Sequence, residues 1–224
     1  MPDSSPLLLI VSSPSGAGKT TLCQKLLAEF ADVRFSVSHT TRAPRKSEVD
    51  GVDYHFVDNA RFDEMLAEDS FIEWAPVHGN RYGTAHDEIR AAAAEGKDLV
   101  FDVDYQGARQ IKDHYPDATA IFVLPPSIEE LRRRLWSRGT DPEEALKRRF
   151  EAALGEIAQH GLFDYLVVND EVETAYRDGL RAILLAKRFE AGRQVESGEL
   201  AAELAEHHLR VHTANLAEAL LSGR

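Results

Sequence analysis

The chain contains a single cysteine, Cys23, among its 224 residues. An internal disulfide is therefore excluded, and a reducing cytoplasm is the expected setting. Basic residues are few, with 26 Lys and Arg against 38 Asp and Glu and a net charge of −12. That balance argues against a nucleic-acid partner, because a phosphate backbone must be met by a basic face. It leaves room for a small phosphorylated ligand held by a local arginine cluster. Long apolar runs are missing as well. Leu7 to Val11 falls far short of the roughly 20 residues that a membrane span requires, and the opening MPDSSP lacks the basic region of a secretory leader. One further absence is local. The pattern G-x-x-x-x-G-K-[ST] would place glycine at position 13, where the chain has serine in Ser13-Pro14-Ser15-Gly16-Ala17-Gly18-Lys19-Thr20-Thr21.

The surroundings of this stretch fit a phosphate-binding loop. Leu7 to Val11 reads as a strand buried on both faces, and Leu22, Leu26, Leu27 and Phe30 recur at helical spacing after the glycines. Strand, glycine turn and helix are the context such a loop needs. Backbone N–H groups of Ser15, Gly16, Ala17, Gly18, Lys19, Thr20 and Thr21 can face a phosphate at the positive end of the helix. Lys19 would neutralise β/γ-phosphate charge, and the Thr20 hydroxyl would ligate Mg²⁺. Serine at position 13 is expected to be tolerated, because a residue before proline favours extended angles and the phosphate-holding amides lie further on.

Three more apolar runs end in polar or proline residues: Leu99 to Phe101, Ala120 to Leu124 and Tyr165 to Val168. Each precedes helical periodicity, so the reading is an α/β fold of P-loop NTPase type, a parallel sheet core with helices on both faces. Residues 34–90 break that rhythm with short β-like pieces (Phe35 to Ser38, Tyr54 to Val57, Phe71 to Val77) and are read as an inserted, mixed or antiparallel subdomain. Residues 127–155 are helical and arginine-rich, with a break at Gly139-Thr140-Asp141-Pro142 where Asp141 could cap the second helix. Residues 199–222 form a helical C-terminal extension. Its apolar stripe would pack on the body or on a second subunit, so the sequence leaves monomer and homo-oligomer open.

Within the insert, Arg42 and Arg45 stand three apart beside Ser38, Thr40, Thr41 and Tyr54, a grouping suited to a phosphate monoester because guanidinium forks bind two oxygens at once. Asp102 and Asp104 follow the second apolar run, Leu99 to Phe101; two residues apart on a strand they would share a face, at the end where open α/β sheets bind ligands.

Taken in order, SPSGAGKTT, SVSHTTRAPR with GVDYHF, FIEWAPVHGNRYGT, FDVDYQG, LRRRLWSRGT and VVND resemble the motif set of the guanylate kinase family over about residues 7–194. The resemblance implies phosphoryl transfer from MgATP to GMP within one kinase domain, the insert binding GMP and residues 127–155 acting as a lid. It assigns Ser38, Arg42, Arg45 and Tyr54 to the GMP phosphate, Glu73 and Thr84 to guanine, and Tyr82 to the pocket wall. Asp102 and Asp104 would face GMP and hydrated Mg²⁺, their separate roles undivided. Arg134, Arg138 and Arg149 would be the lid arginines acting in catalysis beside Lys19 and Arg42, with Asn169 near adenine. Two other readings remain: a binding domain of the same fold without catalysis, and a related sugar-phosphate kinase.

Overall fold

Hydrophobic alternation builds the centre of the molecule. In the computed structural model, which describes residues 5–77, 79–137 and 142–222, strand β1 (Leu8–Ser12) turns Ile10 to one face and Leu9 and Val11 to the other. Successive side chains of a strand point to opposite faces, so a continuous apolar run is buried only when helices cover both. The same division recurs in β7 (Asp98–Asp102), β8 (Thr119–Leu124) and β9 (Tyr165–Val168). Leu99, Phe101, Phe122 and Leu166 lie on the face of Ile10, whereas Val100, Ile121, Val123 and Val167 lie on the face of Leu9.

All pairings in this sheet are parallel, in the order β2-β7-β1-β8-β9. The edge strand β2 (Val33–Phe35) pairs with β7 through Val33↔Asp98. The sequence reading had assigned Phe35 to Ser38 to the insert. Val33 to Phe35 instead extend the core sheet, and a three-residue edge strand offers no long apolar run to mark it. Helices α3 (Asp87–Glu95), α4 (Tyr105–His114), α5 (Ile128–Ser137), α6 (Glu143–Ile157) and α10 (Arg210–Ser222) contribute Ala92, Ile111, Leu131, Ile157 and Leu220 to the Ile10 face. The opposite face is covered by α1 (Lys19–Glu29), by the continuous segment of α7 (Val172–Thr174), a π-helical turn (Ala175–Leu180) and α8 (Arg181–Glu190), and by α9 (Gly198–Glu206). None of the helices among the described residues is long and apolar enough to cross a membrane.

A second sheet, β4-β3-β6-β5, is mixed. Strands β3 (His39–Thr40) and β4 (His55–Phe56) are parallel, whereas β6 (Asn80–Ala85) is antiparallel to both β3 and β5 (Phe71–Val77). It has its own small core, in which Phe62 and Met65 of α2 (Asn59–Ala67) meet Phe71 and Ala85. The tail is two helices, α9 and α10, where the reading had one helical stretch. Ala201, Ala205, Ala217 and Leu220 are buried against the body, while Leu200 and Leu216 are exposed. Arg138 and Asp141 lie outside the described residues, and Pro142 stands directly before the first residue of α6.

Candidate active site

The loop between β1 and α1 lies at the carboxyl end of the central strand, beside the point where the chain crosses from β7 to β8. Two left-handed positions shape it, Gly16 and Gly18, both at φ +95°. At Gly18 a side chain is excluded twice over, because a Cβ there would lie 2.3 Å from Asn169 Nδ2. Ser13 stays outside the left-handed region, so serine at this position is unstrained. Thr20 and Thr21 open α1 with their side chains exposed, and Ser15, Gly16, Lys19, Thr20 and Thr21 line a cavity of about 280 Å³.

Lys19 projects across the loop to form an ion pair with Asp102 at the end of β7, with its ammonium 3.4 Å from the Val103 carbonyl. Burial lowers its pKa. Cys23, one turn further along α1, is buried, and burial pushes its thiol up to about 11, as for a packing residue rather than a nucleophile. Asn169, at the end of β9, is buried and donates from Nδ2 to the Ala17 carbonyl at 2.7 Å; its Oδ1 has no hydrogen-bond partner. Arg134 of α5 braces the same place, donating to the carbonyls of Ala17 at 3.3 Å and Asn169 at 3.0 Å and to Glu130 at 2.7 Å. Arg149 of α6 reaches the Ser15 hydroxyl at 3.0 Å.

A second cavity, of about 410 Å³, opens between the two sheets. Glu73 and Thr84 face each other across the β5–β6 ladder, next to a bulge between Phe71 and Glu73. Direct cross-strand partners share a face, and here that face is the cavity wall. Both side chains are buried, whereas Trp74 and Pro76 of the same strand are turned outward. Thr84 donates its hydroxyl to Glu73 at 2.6 Å, so Ser38, 3.0 Å from the same oxygen, is the donor in that contact. The Thr84 proton is therefore committed to Glu73. Burial pushes the Glu73 carboxyl up to about 7, opposed by the Thr84 bond and aided by the charge of Asp104.

Arg42 lies over the Tyr54 ring at 5.4 Å and donates to the Tyr82 hydroxyl at 3.2 Å and to Glu48 at 2.8 Å. Arg45 is exposed, and its backbone N–H donates to the other oxygen of Glu48 at 2.7 Å. The two aspartates differ in position. β7 ends at Asp102, and Asp104 sits beyond it as the N-cap of α4, accepting from the amides of Gln106 and Gly107 at 2.9 Å each. The shared strand face expected from their spacing thus does not form, although both line the second cavity.

Two carboxylates at this site were not read from the sequence. Glu48 follows Arg45 by three residues, a local signal that could have been used. Glu156 touches both cavities and accepts the Ser15 N–H at 3.1 Å, a contact across 141 residues with no local signature.

A family model described as guanylate kinase matches residues 5–186. The guanylate kinase of Thiobacillus denitrificans is 49% identical over 196 residues, 87% of this chain and 93% of that protein. That of Nitrosococcus oceani is 49% identical over 182 residues, 81% of this chain and 89% of that protein. The crystal structure of the guanylate kinase from Anaplasma phagocytophilum superposes with a TM-score of 0.66 at 34% identity, covering 89% of this chain and 95% of that one. The glycine loop, Arg42 and the buried Glu73 thus stand in a fold and a sequence that agree, and the chain belongs to the guanylate kinase family.

Proposed function

We infer that the chain transfers the γ-phosphoryl group of ATP to GMP, giving ADP and GDP. The observation that carries this reading is the buried Glu73–Thr84 pair, set in a cavity that adjoins the phosphate loop through Asp102 and Glu156. Guanine presents N1–H and N2–H₂ side by side, and one carboxylate accepts both; adenine lacks these donors and would leave the buried carboxylate unpaired. When guanine takes Glu73, the Thr84 hydroxyl is released to donate to O6.

The remaining roles are those that the family resemblance implies, and the reach and charge of the side chains support them. Ser38, Arg42, Arg45, Tyr54 and Tyr82 take the GMP phosphate, with Arg42 held in place by Tyr82 and Glu48. The loop amides and Lys19 take the ATP phosphates, Lys19 leaving Asp102 to do so. Asn169 Oδ1, buried and without a partner, suits the exocyclic amine of adenine. The described residues contain no cluster of three or more His, Cys, Asp or Glu side chains able to hold a metal ion. That fits Mg²⁺, which takes few protein ligands beside phosphate oxygens and water. Thr20 would be its direct ligand, and Asp102 and Asp104 would face its waters. When bound, the ion supplies neutralisation of β/γ-phosphate charge.

The acceptor is already a phosphate oxygen, so no general base is required and catalysis is positioning plus electrostatic stabilisation. Lys19, Arg42 and Arg149 converge on the transferred group, and Arg134 positions the loop. Arg138 completes the set by the family resemblance alone. The insert of residues 34–90 and the lid of residues 127–155 would close over the two nucleotides and exclude water, which suppresses ATP hydrolysis. The buried free thiol suits a cytoplasmic nucleotide pool.

The test is a coupled ADP-release assay with ATP and Mg²⁺, offering GMP, AMP, UMP and a ribose bisphosphate in parallel. Turnover with GMP alone is expected. Turnover with ribose bisphosphate would make the chain a sugar-phosphate kinase, and silence with all four would make it a binding domain.

A further inference from the structure

The donor loop is met by a carboxylate from its own chain. Glu156 and Arg149 are seven residues apart on α6, close to two full turns, so they share a helix face. Both meet Ser15: Arg149 donates to its hydroxyl at 3.0 Å, and Glu156 accepts its N–H at 3.1 Å. Ala153 lies between them and is fully buried, its small side chain allowing α6 to approach closely. The amide that Glu156 occupies belongs to the loop whose N–H groups hold phosphate in the proposed donor site. A carboxylate oxygen there resembles a phosphate oxygen in charge and acceptor geometry.

We propose that Glu156 is a positioning residue of the donor site, a stand-in anion that docks α6 on the phosphate loop until ATP displaces it. Acidic and basic groups on one helix face then exchange roles. Without nucleotide, Glu156 ties α6 to the Ser15 amide. With ATP, the phosphates take the amide, repel Glu156 and draw in Arg149, already at the Ser15 hydroxyl. The C-terminal half of α6 therefore keeps its contact with the loop in both states, held by opposite charges, while the rest of the lid closes. Glu156 is ill-suited to remain once phosphate arrives, since Asp104 already opposes its charge and burial raises its pKa while Lys19 and the Ser15 bond pull it down. Its position on the walls of both cavities puts it between donor and acceptor.

This proposal rests on the donor-site reading given above, and the experiment separates the two. ATP with Mg²⁺ is titrated calorimetrically into the full chain without GMP, in wild type, Glu156→Gln and Glu156→Ala. A stand-in anion competes with ATP, so its removal should tighten ATP binding, by roughly three- to tenfold in Glu156→Ala for the loss of one charge-assisted hydrogen bond. Glu156→Gln, which keeps an acceptor for Ser15 N–H but no charge, should fall between, and it carries the test if the alanine variant folds poorly. The apparent KM for ATP should fall in parallel without a rise in kcat. Structural damage would not tighten a ligand. Unchanged or weaker ATP binding in both variants would overturn the proposal. Absence of ATP binding to wild type would overturn the donor site itself, and the stand-in with it.

Discussion

Glu73 shows how far one carboxyl can be governed by its surroundings. Burial raises its pKa from 4.5 to about 7, against the opposing hydrogen bond from Thr84. The folded chain thus binds a proton more readily than the unfolded chain between those values. The resulting stability is fully present below about pH 4.5 and is lost as pH rises through about 7. In the proposed acceptor site GMP would reverse the preference, because its N1–H and N2–H₂ donors favour the ionised carboxylate. At pH 8 Glu73→Gln should weaken GMP by roughly ten- to a hundredfold and leave ATP binding unchanged. The GMP phosphate itself titrates near pH 6, so the informative quantity is the ratio of wild-type to variant affinity. Measured by calorimetry, that ratio should widen about tenfold between pH 6 and pH 8, and a constant ratio would mean that Glu73 does not meet the base as an ionised group. The sequence placed Glu73 only through the motif set, since FIEWAPV by itself does not distinguish its buried carboxylate from its outward Trp74. Asp104 shows the complementary case. Its side chain caps α4, a role that a two-residue spacing from Asp102 does not reveal.

Elements are tied together by charge as well as by apolar packing. The first residue of β7, Asp98, is fully buried and accepts from the Leu7 N–H at 2.8 Å, Arg188 of α8 at 2.8 Å and Arg193 at 2.7 Å. Arg188 is itself buried. A buried charge stripped of its partner is far more costly than a well-packed neutral replacement of both. Asp98→Ala should therefore destabilise the chain by about 3–5 kcal/mol in equilibrium urea unfolding. A change below about 1 kcal/mol would indicate that water replaces the carboxylate at little cost. None of this network follows from local pattern, because its members are 90 residues and more apart. By contrast β1, β8 and β9 were legible from continuous apolar runs, and α1 from its periodicity. β4 lies within the expected Tyr54 to Val57 piece, whereas β2 and β3 were not legible, since two or three residues carry no period and their pairing partners decide their existence.

At the scale of the whole molecule, two sheets meet at the site, and the C-terminal helices complete the body. Leu220 is buried beside Ala217 in the cluster that holds Ile157 and Phe163, and it lines neither candidate cavity. Leu220→Ala should cost about 2–4 kcal/mol of stability, while Leu200→Ala, at an exposed position, should change it by no more than about 0.5 kcal/mol. Denaturant midpoints check both, and turnover at 25 °C should be unaffected by either. Equal effects would mean that the tail packs in solution otherwise than it does here. The sequence by itself determined the parallel core, the glycine loop with its unstrained Ser13 and, through the ordered motifs, which residues are proposed to meet phosphate and base. Those signals are local, carried by apolar period, glycine placement and ordered motifs. Only the tertiary structure decided that Glu73 and Thr84 are buried partners, that Lys19 pairs with Asp102, that Arg134 braces Ala17 and Asn169, and that Glu156 sits on the Ser15 amide. Contacts of that kind join distant segments, and their strength depends on burial, which is fixed when sheets and helices pack and not before.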